Sequence, residues 1–332
     1  MRRVDPQDFF DTAAEELQPP EPGGGEAPSS LIALLERKGL AARIVPVERA
    51  YELRAEIDGR VAKRELDEEL YARYAGEFTF EAPADFHDVQ SIVIAAVPRP
   101  QTAAVFHVGG AARTLLIPPT YTDYAAVAAS CVSWLRATLA KAGYRVAPAS
   151  VPYKLLATRS GLAAYGRNNI TFVPGLGSFF ELVAAFTNIP CTNAEWHAPR
   201  MLDRCVRCRA CVNRCPTSAI RLDRFLLESG RCLVFHNERA GAVAFPDWID
   251  ASAHRTVIGC MECQRVCPEN RDVKGWVGAA EDFSERETAM LLAGTDAADL
   301  PRETLSKLER LDAVRFLNRL PRNLRAALAR GM

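Results

Sequence analysis

The chain has 332 residues, of which 48% are hydrophobic and 25% charged, and its 41 basic and 41 acidic side chains cancel to a formal net charge of zero. That length exceeds a single usual domain of roughly 100–200 residues, and the composition excludes wholesale disorder. No global field draws the chain to nucleic acid or an anionic membrane, the longest apolar runs (92–97 among them) fall far short of the roughly 20 residues that span a bilayer, and the start, MRRVDPQDFFD, turns acidic where a signal peptide is apolar; a soluble cytoplasmic protein with no membrane partner is expected.

In chain order, residues 1–30 read as an N-terminal arm and a flexible linker, QPPEPGGGEAPSS over 18–30. Ser29 and Ser30 offer an N-cap for a helix that begins at Leu31 and stops at Gly39. A strand at Ala42–Val47, helical patterns over 49–75 and a buried strand at Ser91–Val97 follow. Ala104–Val108 and Arg113–Ile117 flank Gly109-Gly110 as a hairpin. A long helical pattern covers about 123–142, with Thr122 or Asp123 placed to cap it. Then come a strand at Arg145–Ala149, a helix over 153–165, and strands at Ile170–Val173 and Phe179–Phe186. The last fifty residues read as helical with no strand signal. Helices and strands interspersed with a hairpin predict an α+β fold with a mixed sheet over 31–195, a cysteine-bearing domain over 196–275 and a helical C-terminal segment over 276–332.

Eight of the ten cysteines fall between 205 and 267. Without a secretory signal, such density points to metal rather than to disulfides. Cys205, Cys208, Cys211 and Cys215 with Pro216 form C-x2-C-x2-C-x3-C-P, the run that bacterial ferredoxins use for cubane clusters and whose fourth cysteine ligates the other cluster of a pair. Cys260, Cys263 and Cys267 with Pro268 form C-x2-C-x3-C-P, one cysteine short, and Cys232 is the remaining cysteine of the region. Exchange of the fourth ligands assigns Cys205, Cys208, Cys211 and Cys267 to one [4Fe-4S] cluster, and Cys215, Cys232, Cys260 and Cys263 to the other. A pair of structural zinc sites is the alternative, although zinc calls for neither the third cysteine two residues on nor the closing Cys-Pro. Cys131 and Cys191 read as packing residues. Arginines 200, 204, 207, 209, 214, 221, 224 and 231 crowd the region, as the negative charge of thiolate-held cubanes favours, with RNA contact a second use for the outer ones.

With the segments Ala157–Leu162, Tyr165-Gly166-Arg167-Asn168-Asn169 and Gly177-Ser178 ahead of it, this double-cysteine region resembles the epoxyqueuosine reductases, iron–sulfur enzymes related to the reductive dehalogenases that use cobalamin to complete queuosine in tRNA. The resemblance covers roughly 85–325. It implies a nitroreductase-like α/β domain that binds cobalamin, followed by a two-[4Fe-4S] ferredoxin-like domain. It also implies a proton donor at Asp123 of the pair Asp123-Tyr124, a corrinoid region containing Ser160, Gly161, Gly166, Arg167 and Asn168, and an external electron donor of flavodoxin or ferredoxin type, with tRNA as a partner. Leu320-Pro321-Arg322-Asn323 resembles the family's C-terminal signature. The chain departs from the family where its Gly-Lys-Asn becomes Gly166-Arg167-Asn168, and where an aromatic pair after the central strand becomes Val97-Pro98-Arg99-Pro100. A two-cluster electron carrier without substrate chemistry is the alternative function; the length of chain ahead of the clusters favours an enzyme.

Overall fold

The computed structural model describes residues 27–74, 78–192 and 194–329 together with Phe10. The expected arm and most of the linker therefore lie outside the described residues. Residues 27–30, expected in the linker, instead open the first helix, with Pro28 in the first turn, where its missing N–H removes no intrahelical bond. Ser29 and Ser30 thus sit inside the helix rather than capping it.

In chain order the elements are α1 (Ala27–Arg37), β1 (Ala41–Pro46), α2 (Arg49–Ala62), α3 (Glu68–Tyr74), β2 (Ser91–Pro98), β3 (Gln101–Val108), β4 (Ala111–Ile117), α4 (Tyr124–Ala140), β5 (Val146–Pro148) and α5 (Tyr153–Arg159). They continue with β6 (Ala164–Tyr165), β7 (Thr171–Phe172), β8 (Phe180–Thr187), α6 (Ala210–Arg214), α7 (Leu233–Asn237), α8 (Glu262–Arg265), β9 (Val277–Phe283), α9 (Glu285–Ala293), α10 (Arg302–Arg310) and α11 (Leu320–Leu328). Two compact units divide them: one holds the chain up to Pro98 together with Ala125–Cys208, the other Arg99–Tyr124 together with Arg209 onward.

The first unit is built on an antiparallel sheet of order β1-β2-β8-β5. Because successive strand residues face opposite sides, Val93, Ala95 and Val97 of β2 join Val183 and Ala185 of β8 against Leu31, Leu34 and Leu35 of α1 and Cys131, Leu135 and Leu139 of α4. Ile92, Ile94 and Ala96, with Leu182, Ala184 and Phe186, face Leu53 of α2 and Leu155 and Leu156 of α5. Every residue of β2 and β8 is buried, which is why both read as unbroken apolar runs. Cys131 and Cys191 are buried in the first of these cores, and burial raises both thiols, Cys131 to about 12. The helix expected over 153–165 stops at Arg159, because Gly161 takes a left-handed φ of 73° and turns the chain into β6.

The second unit holds a three-stranded sheet of order β4-β3-β9, in which the β3–β4 pair is the expected hairpin and β9 runs parallel to β3. The strand β9 corrects the expectation of an all-helical C-terminal segment. Its sequence, VGAAEDF, is largely exposed and has little strand character; only Phe283 is buried, stacked on Phe106 of β3 with ring centroids 5.1 Å apart. Pairing with β3, more than 170 residues earlier in the chain, makes the strand. Beneath this sheet, Phe106, Leu115 and Ile117 share a core with Leu291, Leu308, Leu320 and Leu324 of the C-terminal helices. Helix α9 is closed by a Ser284–Glu287 capping box at its start and by Gly294, φ 81°, at its end.

Candidate metal centre

Both Cys-Pro motifs fold into the same local form. Each is a short helix followed by an extended cysteine and a proline: Cys215 (φ −62°, ψ 113°) directly follows α6, and Cys267 (φ −68°, ψ 125°) comes two residues after α8 and opens a 3-10 turn at Pro268. Cys215 N–H donates to Cys211 O at 3.0 Å and Cys267 N–H to Gln264 O at 3.2 Å. In the first motif, Cys205 lies on the 3-10 turn Asp203–Val206, and Cys208 N–H donates to Arg204 O at 3.1 Å. Cys205 and Cys208 belong to the first unit; the other six cysteines of the region belong to the second.

Within the second unit, Cys215, Cys232 and Cys260 lie within one another's electrostatic reach. Burial pushes the Cys232 thiol up, the N–H groups of Val234 and Phe235 oppose that, and the charge of Cys215 adds to it. Burial likewise pushes Cys260 up to about 12, against the N–H of Glu262, with Cys232 and Cys215 contributing. Sulfurs that lie near one another and receive backbone N–H groups suit a bound cationic centre, which holds coordinating thiols deprotonated outright. Cys215 Sγ accepts a further N–H, from Ala219 at 3.3 Å. All eight cysteines of the region are partly accessible, unlike the two core thiols. Among the described residues, no three His, Cys, Asp or Glu side chains are grouped closely enough to hold a single metal ion; a cubane, with irons at four separate corners, holds its thiolates farther apart than one ion does.

The loops that present these cysteines are tied together by side chains of α7, of the segment before Cys260 and of the C-terminal signature. Asn237, at the end of α7, donates to Gly259 O at 2.6 Å and accepts from Gly259 N–H at 3.2 Å, so the helix that starts beside Cys232 grips the residue before Cys260. Thr256 Oγ1 also donates to Gly259 O, at 2.7 Å. Asn323 donates to Asn237 O at 2.9 Å and to Val257 O at 3.0 Å, while the Arg322 guanidinium donates to His236 O, Asn237 O and Arg239 O at 3.0–3.2 Å. The C-terminal signature therefore clamps the carbonyl end of α7. Glu262 joins the two motifs: its nearly buried carboxylate lies 2.7 Å from Arg214, which precedes Cys215, and 3.6 Å from Arg255 and Arg265.

Several of the crowded arginines have partners of their own. Arg221 pairs with Asp223 at 2.8 Å and Glu228 at 3.3 Å, and Arg231 donates to Thr217 O while lying 4.7 Å from the centre of the Trp248 ring.

Among the residues expected around a corrinoid, Ser160 donates to Ala157 O at 3.2 Å, and Arg167 donates to Cys205 O at 3.1 and 3.3 Å, bracing the first cysteine's turn. The main chain of Tyr165 bonds Arg200 O and Leu202 N–H on the same approach. Gly166 leaves no room for a side chain, since a Cβ there would meet Asn168 Oδ1 and Phe172 at 2.5 Å. Asn168 is buried; its Oδ1 accepts from Ile170 N–H at 3.3 Å and its Nδ2 has no hydrogen-bond partner. Gly161 faces Glu195 and His197.

Asp123 is half-buried and left-handed, with φ 51°, a conformation Asp adopts more readily than most residues. That φ departs from the extended backbone typical of an N-cap, so the turn is more than a plain start to α4. Its second-unit surroundings are firmly held. Tyr121 OH donates to Glu238, the Tyr121 carbonyl accepts from Arg315 at 3.0 Å, and Gly259, φ 71°, lies so close to Pro118 and Tyr121 that a Cβ there would stand 2.7–2.8 Å from them.

A model of a 4Fe-4S double cluster binding domain matches residues 204–270. The epoxyqueuosine reductase of Staphylococcus aureus is 36% identical over 120 residues, 36% of this chain and 30% of that protein, so the match spans about a third of the relative's length. Over the whole fold, the structure of epoxyqueuosine reductase from Streptococcus thermophilus superposes with a TM-score of 0.62 at 15% identity, covering 92% of this chain and 81% of that one. An epoxyqueuosine reductase solved with an epoxyqueuosine-modified tRNA stem loop gives 0.52 at 19% identity, covering 84% and 82%. The mixed sheet, the helical regions and the double-cluster segment thus share that architecture. Among the described residues no helix is long and apolar enough to cross a membrane.

Proposed function

We propose that the chain is an iron–sulfur oxidoreductase of the epoxyqueuosine reductase kind, carrying two [4Fe-4S] clusters, which reductively removes the epoxide oxygen of epoxyqueuosine in tRNA or of a related substrate; the likeness of its cysteine region and of its fold to those enzymes supports the reading. The observation that carries the reading is the pair of Asn237–Gly259 hydrogen bonds, which brings the helix beginning beside the isolated Cys232 to the residue before Cys260, with Cys215 in electrostatic reach of both. With Cys263 these three cysteines make one ligand set; motif spacing assigns Cys205, Cys208, Cys211 and Cys267 to the other. Bound there, the clusters supply one-electron transfer from an external flavodoxin- or ferredoxin-type donor.

The kinship also implies cobalamin, which would supply a strongly reducing cobalt centre. The residues carried over for it fit it poorly as direct donors. Ser160 gives its hydroxyl proton to Ala157 O, Arg167 is turned toward Cys205 O through Nε and Nη2, and the buried Asn168 amide has an N–H with no protein partner.

Loss of an epoxide oxygen as water consumes two electrons and two protons. Asp123 is the residue proposed to deliver one of those protons to the departing oxygen, which requires its carboxyl to be protonated at the moment of transfer. Its half-buried, left-handed position on a turn held from Arg315 and Gly259 supports that role. Anaerobic incubation with cobalamin, a reduced flavodoxin and an epoxyqueuosine-bearing anticodon stem loop tests the reading: queuosine should accumulate. A chain that holds both clusters, accepts electrons and leaves the epoxide intact is instead the electron carrier.

A further inference from the structure

We infer that Arg99 is a positioning residue that clasps the Asp123 turn in its working geometry. The inference rests on the reading of Asp123 as proton donor. Residues 99–124 enter the second unit as one excursion of the chain, with Arg99 at its start and Asp123 near its end. The Arg99 side chain closes that excursion on itself. Nε donates to Pro119 O at 3.4 Å, and Nη2 donates to Thr122 O and reaches Thr122 Oγ1 at 3.4 Å. Thr102 Oγ1, on β3, lies 3.2 Å from the same Thr122 hydroxyl.

The geometry explains why a guanidinium is used. Between Pro118 and Tyr124 the backbone passes through a 3-10 turn with Thr120 off helical angles, an extended Thr122 and the left-handed Asp123, so its carbonyls find no regular ladder. Arg99 is only 2% exposed, and an apolar side chain of the same length would leave the Pro119 and Thr122 carbonyls without this donor in a buried space. Left-handed non-glycine residues persist only where the surroundings over-determine them. Arg99 does so from the peptide adjoining Asp123. Pro98 and Pro100 on either side lack N–H groups and fix their own φ, which limits the paths by which the arginine could swing away. The Pro-Arg-Pro that replaces the family's aromatic pair thereby acquires a purpose: it locks the turn that carries the acid.

Hydrogen exchange on the cluster-loaded protein, read by mass spectrometry over 118–126, tests the clasp together with turnover. Arg99→Met should speed exchange there by about 10- to 100-fold, the equivalent of losing one or two hydrogen bonds from a charged donor. Peptides over 233–237, iron content and the visible cluster absorbance should stay unchanged, kcat should fall, and KM should hold within about twofold. If Arg99→Met fails to fold, Arg99→Gln, which keeps one donor, carries the test with a smaller factor in the same direction. Unchanged exchange in the folded variant overturns the proposal, as does faster exchange with full turnover when Asp123→Asn is inactive. Full turnover by Asp123→Asn overturns instead the donor assignment, and with it the catalytic meaning of the clasp, whatever the exchange shows.

Discussion

Replacing Asn237 by alanine should loosen the grip between the Cys232 helix and the Cys260 loop, at a cost that follows from the bonds removed. Asn237 makes two hydrogen bonds with the main chain of Gly259, but the two ends differ in what remains. Gly259 O keeps the Thr256 hydroxyl at 2.7 Å, whereas Gly259 N–H has Asn237 Oδ1 as its bond. Truncation therefore loses about 1 kcal/mol for a replaceable bond and about 1–3 kcal/mol for a stranded donor, or roughly 2–4 kcal/mol together. Thr256→Val, which leaves Asn237 in place on the same carbonyl, should cost only about 1 kcal/mol. Anaerobic denaturant titration of the cluster-loaded protein measures both, and loss of visible absorbance reports cluster breakdown. Asn237→Ala should release iron well before the wild type while Thr256→Val stays close to it. Equal midpoints and equal iron loss in the two variants would refute the view that the Asn237–Gly259 pair holds the second ligand set together.

Cys232→Ala should lose or convert one cluster, taking bound iron from about eight to between about four and seven per chain, while Cys131→Ala, altering a buried packing thiol, leaves both clusters; iron analysis and EPR decide. Asp123→Asn should keep stability near wild type, since Asn tolerates the left-handed φ, and should lower turnover by about 10²–10⁴-fold in a single-turnover assay. Burial works against the Glu287 carboxylate, but Lys307, Ser284 and Thr304 outweigh it and hold its carboxyl down at about 2, below its ordinary 4.5. That contribution is fully present above about pH 4.5 and is lost as the pH falls toward 2; Glu287→Gln should remove about 2–3 kcal/mol at neutral pH and flatten the pH dependence across that window in acid titrations of the second unit's helices.

Much of this architecture is legible in the sequence where the determining contacts are local. Gly109-Gly110 between two alternating runs marks the β3–β4 hairpin, and the unbroken apolar run of β2 marks a strand covered on both faces. The cysteine motifs are legible for the same reason, since their spacing is that of one tight loop. What the sequence hides depends on distant partners. The strand β9 has small and acidic residues and exists through pairing with β3, and the end of α5 depends on a left-handed glycine inside a helical pattern. Asn237 and Glu262 act through a side-chain bond to backbone and an ion pair 22 and 48 residues away, which leave no periodicity to read. The Arg-rich stretch could have suggested a buried acid among it, and Glu262 between two cysteines was the available clue. Asp123 reads equally as a cap because capping and catalysis favour the same residue, and its left-handed φ of 51° is a feature the sequence does not display.

The central claim is that eight cysteines hold two cubane clusters. Iron and acid-labile sulfide measured on anaerobically purified protein test it most directly: the ligand sets predict about eight of each per chain. Stoichiometric zinc without acid-labile sulfide would contradict the account.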